Sequence, residues 1–350
     1  MIETLVFLCA FVSPCLPAGW LAGFKKIIMQ KQLQIWQFIH KSLQTDIPVM
    51  LLYVLESNGS SPGRQGFFMA VNKDGEMYGS IGGGIMEHKF VEMAKDKLKH
   101  NIDSTSVKKQ VHDKSAANNQ SGMICSGEQT VFIYKIQQSE SDAITQIIQC
   151  LQQDKNGLLQ LSPGGISFSK AETTNQFQYV FYSENDWLYR EKIGYIHHLH
   201  VIGSGHCSLP FCKIMNMLGF YIHLYDDRPG LITFEENIFA QQKIIVDNYS
   251  QLQQLIAEDV TSYVVVMTFG YRTDDMAVRA LLNKRFKYFG LLGSKTKIEK
   301  MFAGYINEGI SKEILNNIHA PVGINISSQT PEEIAVSIAA EIIGMKNKFL

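Results

Sequence analysis

The segment HVIGSGHCS, residues 200–208, places two closely spaced glycines between a predicted strand and a predicted helix. In dinucleotide-binding domains the first such glycine forms a tight turn and the second lets the backbone approach a pyrophosphate. Gly203 and Gly205 fit these roles, with the small residue Ser208 in place of a third glycine. Because amides at a helix N-terminus attract phosphate, the segment predicts an anion-binding corner. Its predicted binding residues are Gly203, Ser204, Gly205 and His206.

An acidic cluster follows the next predicted strand, at the distance where a carboxylate usually meets a nucleotide ribose. Asp226 and Asp227 are its carboxylates, and Arg228 is placed to accept a ribose 2′-phosphate instead. NAD(P) is therefore one candidate ligand of this loop. The alternative is a structural Rossmann-like domain that keeps the turn and binds no nucleotide, since fold and function are separable.

A second glycine-rich segment, GSIGGG at residues 79–84, precedes another predicted helix. Successive amides of Gly82, Gly83 and Gly84 can form an anion-binding nest. The alternative is a flexible turn between a hairpin and a helix. Glu87 falls in the first helical turn, where a carboxylate complements the helix dipole, so a structural role suffices for it.

Cys125 lies in MICSGE, directly before a predicted strand and close to glycines on both sides. A thiol exposed on such a turn can ligate a soft metal or carry sulfur. A buried and inert cysteine is the alternative. The chain has six cysteines and no C-x-x-C pair, which favours reduced thiols and a cytoplasmic location.

The predicted elements that hold these loops change their order near residue 190. Before it, helices and strands are mixed, and the apolar run PVMLLYVL is typical of a strand buried on both faces. After it, strands alternate with helices, which indicates βαβ units and a parallel sheet. We predict an α/β protein with an extension at 1–28, an α+β domain at 29–185 and a Rossmann-like domain at 193–348.

Two local signals fix the ends of predicted elements. The sequence NKDG at 72–75 predicts a hairpin turn. Thr330, Pro331 and Glu333 predict the start of the last helix, with the threonine as N-cap and the glutamate completing a capping box.

Bulk composition limits the classes of function. The 350 residues are 45% hydrophobic and 19% charged, with a formal net charge of -1 and no block of basic residues. A clustered basic face would be expected of a nucleic-acid-binding protein, so neither nucleic acid nor an anionic membrane is an expected partner.

The amino-terminal segment needs a separate interpretation. Residues 5–24 are apolar and uncharged, but Glu3 replaces a basic flank, and Pro14 and Pro17 interrupt the run. A dispensable extension that precedes a start at Met29 is the expectation, and a membrane or export signal is the alternative.

Taken together, several segments resemble the xanthine dehydrogenase accessory factor family (XdhC/CoxI). They span about residue 30 to 343 and are SNGSSPGRQG, GSIGGGIME, CSGE with TVFIY, VIGSGHCSLP, YDDRPGL, VVVMT with its acidic helix, YFGLLGSKTK, and HAPVGINISSQTPEEIAVSIAAEII.

This resemblance implies an amino-terminal XdhC/CoxI domain, a carboxyl-terminal Rossmann domain, and a cytoplasmic protein that self-associates into homo-oligomers such as dimers. It implies that the protein binds molybdenum cofactor (molybdopterin) as cargo and protects it during sulfuration. The protein would then help insert it into a xanthine dehydrogenase-type molybdoenzyme. Whether a cysteine desulfurase is a further partner stays open.

Carried over by motif, the implied ligand-facing residues are Ser60, Ser61, Pro62, Gly82, Gly83, Gly84, Cys125, Gly203, Gly205, His206, Asp226, Gly293, Ser294, His319, Pro321 and Gly323. One hypothesis is a cleft between the domains, with phosphate on residues 203–206 and molybdenum near Cys125 and GSIGGG.

The chain departs from the family pattern at three places. Phe269 stands where many relatives have histidine, Ile85 where some have cysteine, and Cys125 lacks a neighbouring second cysteine. A binding role is therefore expected in preference to an enzymatic one, and no catalytic residue is assigned. The alternatives are an NAD(P)-dependent oxidoreductase, which would need a positioned acid or base, and a nucleotide-sensing partner that regulates a molybdoenzyme.

Overall fold

The computed structural model describes residues 29–102, 105–111, 127–153, 155–171 and 175–347. The predicted extension at 1–28 and the predicted metal ligand Cys125 lie outside these residues. Among the helices of the described ranges, none is long and apolar enough to cross a membrane.

The amino-terminal half folds into two antiparallel sheets with helices packed against them. Its elements are α1 (Met29–Gln44), β1 (Val49–Gly59), β2 (Phe68–Asn72), β3 (Met77–Gly79), α2 (Gly84–Lys99), β4 (Ser106–Val111), β5 (Gly127–Lys135), α3 (Ser141–Gln152), β6 (Gly157–Ser162), β7 (Gly165–Ser169), β8 (Phe177–Ser183) and β9 (Asp186–Ile193). The first sheet has the order β3-β2-β1-β5-β4 and the second β7-β6-β9-β8.

Strand β1 lies at the centre of the first sheet and is buried on both faces, as its apolar run predicts. Leu51 and Tyr53 point to a core shared with α1, α3 and the second sheet. Met50 and Leu52 point to the opposite face and a core shared with α2. Because side chains alternate along a strand, one uninterrupted apolar run fills both cores.

Glu191 joins the two amino-terminal sheets. Its carboxylate on β9 accepts hydrogen bonds from the hydroxyls of Tyr53 on β1, at 2.5 Å, and Tyr189 on β9, at 2.7 Å. Burial raises the pKa of Glu191 to about 7, although both hydrogen bonds act in the opposite direction. A buried carboxylate whose partners are two neutral hydroxyls is a pH-sensitive connection between sheets.

The carboxyl-terminal half alternates strands and helices. Its elements are β10 (His197–Ile202), α4 (Ser208–Met217), β11 (Phe220–Asp226), α5 (Ile232–Glu235), β12 (Gln242–Ile245), α6 (Leu252–Leu255), β13 (Asp259–Val266), α7 (Tyr271–Leu281), β14 (Phe286–Leu291), α8 (Lys295–Asn307), α9 (Lys312–Leu315) and α10 (Pro331–Asn347). All the pairs of its sheet are parallel, which confirms the predicted fold class.

This sheet has the order β12-β11-β10-β13-β14. One face packs with α4 and α10, and the other with α7 and α8, as in a doubly wound fold. The chain leaves β10 toward β11 on one side and later occupies β13 on the other. This reversal creates a crevice at the carboxyl ends of β10 and β13, where such folds bind ligands.

The domain boundary is best placed after β9. That strand pairs with β6 and β8, so it belongs to the second amino-terminal sheet although it begins after residue 185. Strand β10 then starts the parallel sheet at His197. We propose a boundary between Ile193 and His197.

A ladder of imidazoles occupies one face of β10 and β11. His198 Nδ1 lies 3.1 Å from His223 Nε2, and the rings of His200 and His223 stack with centroids 4.5 Å apart. Burial, together with the neighbouring histidines, lowers the pKa of His200 to about 3 and that of His223 to about 4, although a hydrogen bond with Gln242 acts in the opposite direction on His223. Asp259 acts on His200 in the opposite direction, but its effect is smaller. These rings are therefore neutral in the folded protein at ordinary pH.

We expect the carboxyl-terminal domain to lose stability as the pH falls below about 6.5. Between that pH and the lowered pKa values of His200 and His223, the unfolded chain binds protons that the folded chain does not. The melting temperature of this domain should fall when the pH is lowered from 7 to 5, and it should fall less in His200→Gln. The exposed His88 provides the control, since His88→Gln should keep the wild-type slope. Equal slopes for all three proteins would exclude the ladder as the cause.

Candidate functional site

The glycine loop after β10 turns sharply against the neighbouring strand. Gly203 has a positive φ of 101°, and a Cβ atom there would lie 2.5 Å from the carbonyl oxygen of Met267. Its amide donates to the carbonyl of Tyr225 at 2.8 Å. Only glycine fits this position, because a side chain would meet both an unfavourable backbone conformation and a backbone oxygen.

The loop presents unpaired amides to the surface. Within residues 203–208, all of which the structure describes, the amides of Gly205, His206 and Cys207 donate to no protein acceptor. A Cβ atom on Gly205 would meet nothing within 4 Å. The corner is therefore open and carries donors directly before α4, as an anion-binding corner requires.

Ser208 occupies the position of the third glycine. It is fully buried, and its hydroxyl donates to the carbonyl of Gly205 at 2.8 Å. A residue this small lets the start of α4 approach the sheet, and its hydroxyl also holds the loop. Ser204 is buried as well, and its hydroxyl oxygen has no hydrogen-bond partner within the described chain.

Asp226 has an internal role that differs from the predicted contact with ribose. Its carboxylate is fully buried. One oxygen accepts from the Ser204 amide at 2.6 Å, and the guanidinium of Arg228 donates to both oxygens at 2.8 Å. The Arg228 amide adds a bond of 3.0 Å. The sequence places a carboxylate here correctly, but this carboxylate binds the protein's own loop.

Asp226 thus fixes the position of Arg228, whose side chain stays partly exposed at the crevice. The guanidinium carbon lies 5.8 Å from the ring centroid of Phe269. Asp227 is partly exposed, with its carboxylate 3.8 Å from the Arg228 Nε. Arg228 therefore has a fixed position beside the glycine loop, with its charge balanced by Asp226 and with Asp227 close by.

A buried ion pair closes the loop that follows β13. The carboxylate of Asp274, fully buried on α7, accepts hydrogen bonds from the amide of Thr268 at 3.0 Å and from its hydroxyl at 2.5 Å, and contacts the ammonium of Lys297 on α8. Gly293 lets Lys297 pass, since a Cβ atom there would lie 3.3 Å from the lysine Cδ. Ser294 caps α8 through the Lys297 amide at 3.3 Å.

The predicted binding segment around His319 is tied to the last helix. His319 Nδ1 lies 2.8 Å from Glu341, and its ring stacks on Tyr288 with centroids 4.5 Å apart. The amide of Gly323 donates to the same carboxylate at 2.6 Å, and Pro321 follows a cis peptide bond. Burial alone would raise the pKa of Glu341, but hydrogen bonds from His319, Tyr288 and Gly323 lower it. His319 and Gly323 thus have structural partners, and ligand contact by this segment stays a prediction.

In the amino-terminal domain, two predicted binding segments meet. Gln129 accepts from the Ser61 hydroxyl at 3.1 Å and donates to the carbonyl of Ile81 at 2.8 Å. A Cβ atom on Gly82 would lie 2.7 Å from the carbonyl carbon of Pro62. One on Gly127 would lie 2.7 Å from the carbonyl carbon of Ser60. The backbones of the two segments are therefore in direct contact.

The nest formed by GSIGGG already holds an anion from the protein. A carboxylate oxygen of Glu87 accepts from the amides of Ile81 at 2.9 Å and Gly83 at 3.0 Å, and from the Ser80 hydroxyl at 2.7 Å. The structure thus supports the structural interpretation of Glu87 and leaves those two amides paired. Gly84 is the first residue of α2.

Cysteines contribute little to the chemistry of the described sites. Cys150 and Cys212 are buried on helices, and burial raises the pKa of each thiol, that of Cys212 to about 12. No group of three potential metal ligands occurs among the described residues. Since Cys125 lies outside them, its predicted metal contact and the shared cleft stay hypotheses.

Three residues near the crevice were not assigned a function from sequence. Phe269 follows β13 and is 87% exposed, although by motif it stands out only as a departure from the family pattern. Asp274 and Lys297 are far apart in sequence and only the fold brings them together. The sequence shows the acidic helix and the GSKTK motif, but it does not show that Asp274 of the helix pairs with Lys297 of the motif.

The comparisons with known proteins agree with this architecture. The model described as the XdhC and CoxI family matches residues 42–103, and that of the XdhC Rossmann domain matches residues 199–342. Together they cover more than half of the chain.

Two curated relatives match over most of the chain. The uncharacterized protein YqeB of Escherichia coli is 24% identical over 87% of this chain, which spans 44% of that relative's length. A Bacillus subtilis protein named as a probable subunit of xanthine dehydrogenase is 23% identical over 87% of this chain and 96% of its own.

One solved structure, described as a xanthine dehydrogenase from Bacillus halodurans, shares the fold with a TM-score of 0.65 and 21% identity. The match covers 89% of this chain and 95% of that one. With matching models in both halves and the predicted parallel sheet present, the chain belongs to the XdhC and CoxI family.

Proposed function

We propose that this protein is an accessory factor that binds molybdenum cofactor as cargo and helps deliver it to a xanthine dehydrogenase-type enzyme. The observation that carries the proposal is the open corner at Gly205, where consecutive amides before α4 have no hydrogen-bond acceptor among the residues that the structure describes. The terminal phosphate of a pterin cofactor, or the pyrophosphate of its nucleotide forms, is the complementary group.

The Arg228 guanidinium at this corner is already paired with Asp226, so the unpaired amides of residues 205–207 are the groups that favour a phosphorylated ligand. Asp226 also restricts the Arg228 side chain, so little side-chain freedom is lost when the guanidinium contacts another part of the ligand. Binding does not require a reactive side chain, which accords with a carrier rather than a catalyst.

The hydrogen bonds that Asp226 already accepts within the protein argue against the oxidoreductase alternative. An NAD-dependent enzyme commonly uses the acidic residue after the second strand to bind the ribose hydroxyls. Here the fully buried carboxylate already accepts bonds from Ser204 and Arg228. A ligand that leaves this carboxylate in place fits the corner better.

The partner enzyme is proposed from the relatives. One is named a probable subunit of xanthine dehydrogenase, and it is matched over nearly its whole length. Transfer of a bound cofactor to such an enzyme, and self-association of the carrier, are parts of the proposal. Co-purification with a molybdoenzyme from a cofactor-producing host would examine the partner directly.

The test of the proposal is cargo retention by the purified protein. After expression in a cofactor-producing host, treatment with acid and iodine should release a fluorescent pterin from the wild type. Gly205→Val should lower this signal at least tenfold, since its side chain projects into the open space over the free amides.

Gly304→Val is the matched control, because a Cβ atom at Gly304 on α8 also meets nothing within 4 Å. It should retain wild-type fluorescence. A wild-type protein without pterin but with stoichiometric NAD would overturn the proposal in favour of the oxidoreductase. Equal pterin content in Gly205→Val and Gly304→Val would mean that the cargo does not bind at the glycine loop.

A further inference from the structure

We infer that Phe269 and Arg228 form a second subsite, which holds the planar heteroaromatic ring of the ligand whose phosphate binds at Gly205–Cys207. The inference rests on the proposed function and extends it by assigning the ring end of the ligand to named side chains. The ligand class is a phosphorylated planar heterocycle, with a pterin as the expected member and a purine nucleotide as the alternative source of the same chemistry.

Phe269 presents an aromatic ring at the ligand-binding edge of the sheet. It follows β13, the strand next to β10, and precedes the start of α7 at Tyr271. With 87% of its surface exposed, its ring is almost uncovered by its own domain. A single exposed apolar residue is common on protein surfaces, so its position at the crevice carries the argument.

The ring and the free amides lie within reach of one small molecule. A Cβ atom on Gly203 would lie 2.7 Å from the Cα of Thr268, the neighbour of Phe269. Gly205 is two residues beyond Gly203. With about 3.8 Å between consecutive Cα atoms, the Cα atoms of Gly205 and Phe269 are at most about 16 Å apart.

Arg228 supplies the second element of the subsite. Its guanidinium carbon lies 5.8 Å from the Phe269 ring centroid, and Asp226 holds it there through a two-pronged hydrogen bond. Guanidinium groups stack on aromatic faces and also donate to carbonyl and phosphate oxygens. A pterin or purine ring presents an aromatic face together with ring nitrogens and exocyclic groups, which match such a pair.

The same arrangement disfavours ligands that lack either the phosphate or the aromatic ring. Inorganic phosphate would use the amides alone, and an unphosphorylated ring would use Phe269 and Arg228 alone. Simultaneous contact by one molecule raises affinity because the second contact becomes intramolecular. The subsite therefore selects ligands that carry a ring and a phosphate together.

Fluorescence titration can test this with defined probes and the full chain. The probes are the phosphorylated pterin obtained by acid and iodine oxidation, the same pterin after phosphatase treatment, ADP, and inorganic phosphate in competition. Phe269→Ala should weaken binding of the phosphorylated pterin about tenfold, as expected for loss of one stacked ring. The dissociation constant of inorganic phosphate, obtained from the competition experiment, should not change in this variant. Phe269→Trp should restore the affinity.

Tyr182→Ala is the control for loss of an exposed aromatic residue, since Tyr182 is 76% exposed on β8 in the other domain. It should bind every probe as the wild type does. Weaker binding of ADP alone in Phe269→Ala would assign the subsite to purines and overturn the pterin assignment.

Failure of the inference and failure of the proposed function give different results. If Gly205→Val loses the phosphorylated pterin while Phe269→Ala binds it fully, the ring subsite is wrong and the phosphate corner stands. If the wild type binds none of the four probes, both are overturned.

Discussion

Asp226→Ala is expected to lower the free energy of unfolding by about 3 kcal/mol and to abolish ligand binding at the glycine loop. The substitution removes the acceptor of the Ser204 amide and both acceptors of the Arg228 guanidinium, which leaves buried donors unpaired. The guanidinium is partly exposed and can be rehydrated, which is why the loss is set at the lower end for a broken buried pair. Urea denaturation followed by hydrogen exchange in β10, β11 and α4 would measure it, because the three tryptophans of the chain all precede this domain in sequence.

Asp227→Ala provides the matched control one residue away. Its carboxylate is partly exposed and 3.8 Å from the Arg228 Nε, so its loss should change the free energy of unfolding by less than about 1 kcal/mol. In a double-mutant cycle with Arg228→Ala, Asp226→Ala should show strong coupling and Asp227→Ala little. Equal costs for the two aspartates would contradict an anchoring role for Asp226.

The parallel sheet and its glycine turn were predictable because their causes are local in sequence. Apolar runs separated by helical periodicity specify βαβ units, and a glycine directly after a strand indicates a positive φ, as found at Gly203. The capping box was equally local. Thr330 and Glu333 exchange hydrogen bonds with each other's amides at 3.2 Å, as their spacing predicts.

The hydrogen-bond partners of the carboxylates were not predictable in the same way, although a structural role was expected for Glu87. Asp226 and Glu87 stand where carboxylates occur both in ligand-binding loops and in loops that bind their own backbone. The difference depends on the three-dimensional path of the loop, which brings the amides of Ser204 and Ile81 to these side chains. Sequence spacing indicates that a carboxylate side chain lies near a loop, but it does not indicate which hydrogen-bond donor contacts that carboxylate.

The two glycine loops differ in how the protein pairs their amides, although their sequences are similar. The carboxylate of Glu87 satisfies the amino-terminal nest at Ile81 and Gly83, where an added anion would meet a like charge. At the carboxyl-terminal loop, Ser204 is the one residue of the segment 203–208 whose amide donates to Asp226, and Arg228 offsets the charge of that carboxylate. The proposed phosphate site is therefore placed in the Rossmann half of the protein and not at the amino-terminal loop.

Glu191→Gln is expected to remove a pH dependence of about 3 kcal/mol from the stability of the amino-terminal domain. The folded pKa of about 7 lies above the ordinary value of 4.5. The favourable contribution of the protonated form is therefore complete below pH 4.5 and is lost as the pH rises through 7. This trend is opposite to that of the histidine ladder, so acid stabilises one domain and destabilises the other.

The free energies of unfolding of wild type and Glu191→Gln should be compared by urea denaturation from pH 5 to pH 8. Their difference reports the contribution of Glu191, because the histidines are common to both proteins. Glutamine keeps the shape and can still accept from Tyr53 and Tyr189, but it carries no charge to desolvate at high pH. The exposed Glu184, in the turn between β8 and β9, supplies the control, since Glu184→Gln should follow the wild type at every pH. Hydrogen exchange should localise the effect to β1 and β9, which Tyr53 and Glu191 connect. A difference curve that stays flat from pH 5 to pH 8 would mean that Glu191 keeps one protonation state over this range, which would contradict a pKa near 7 for this carboxyl group.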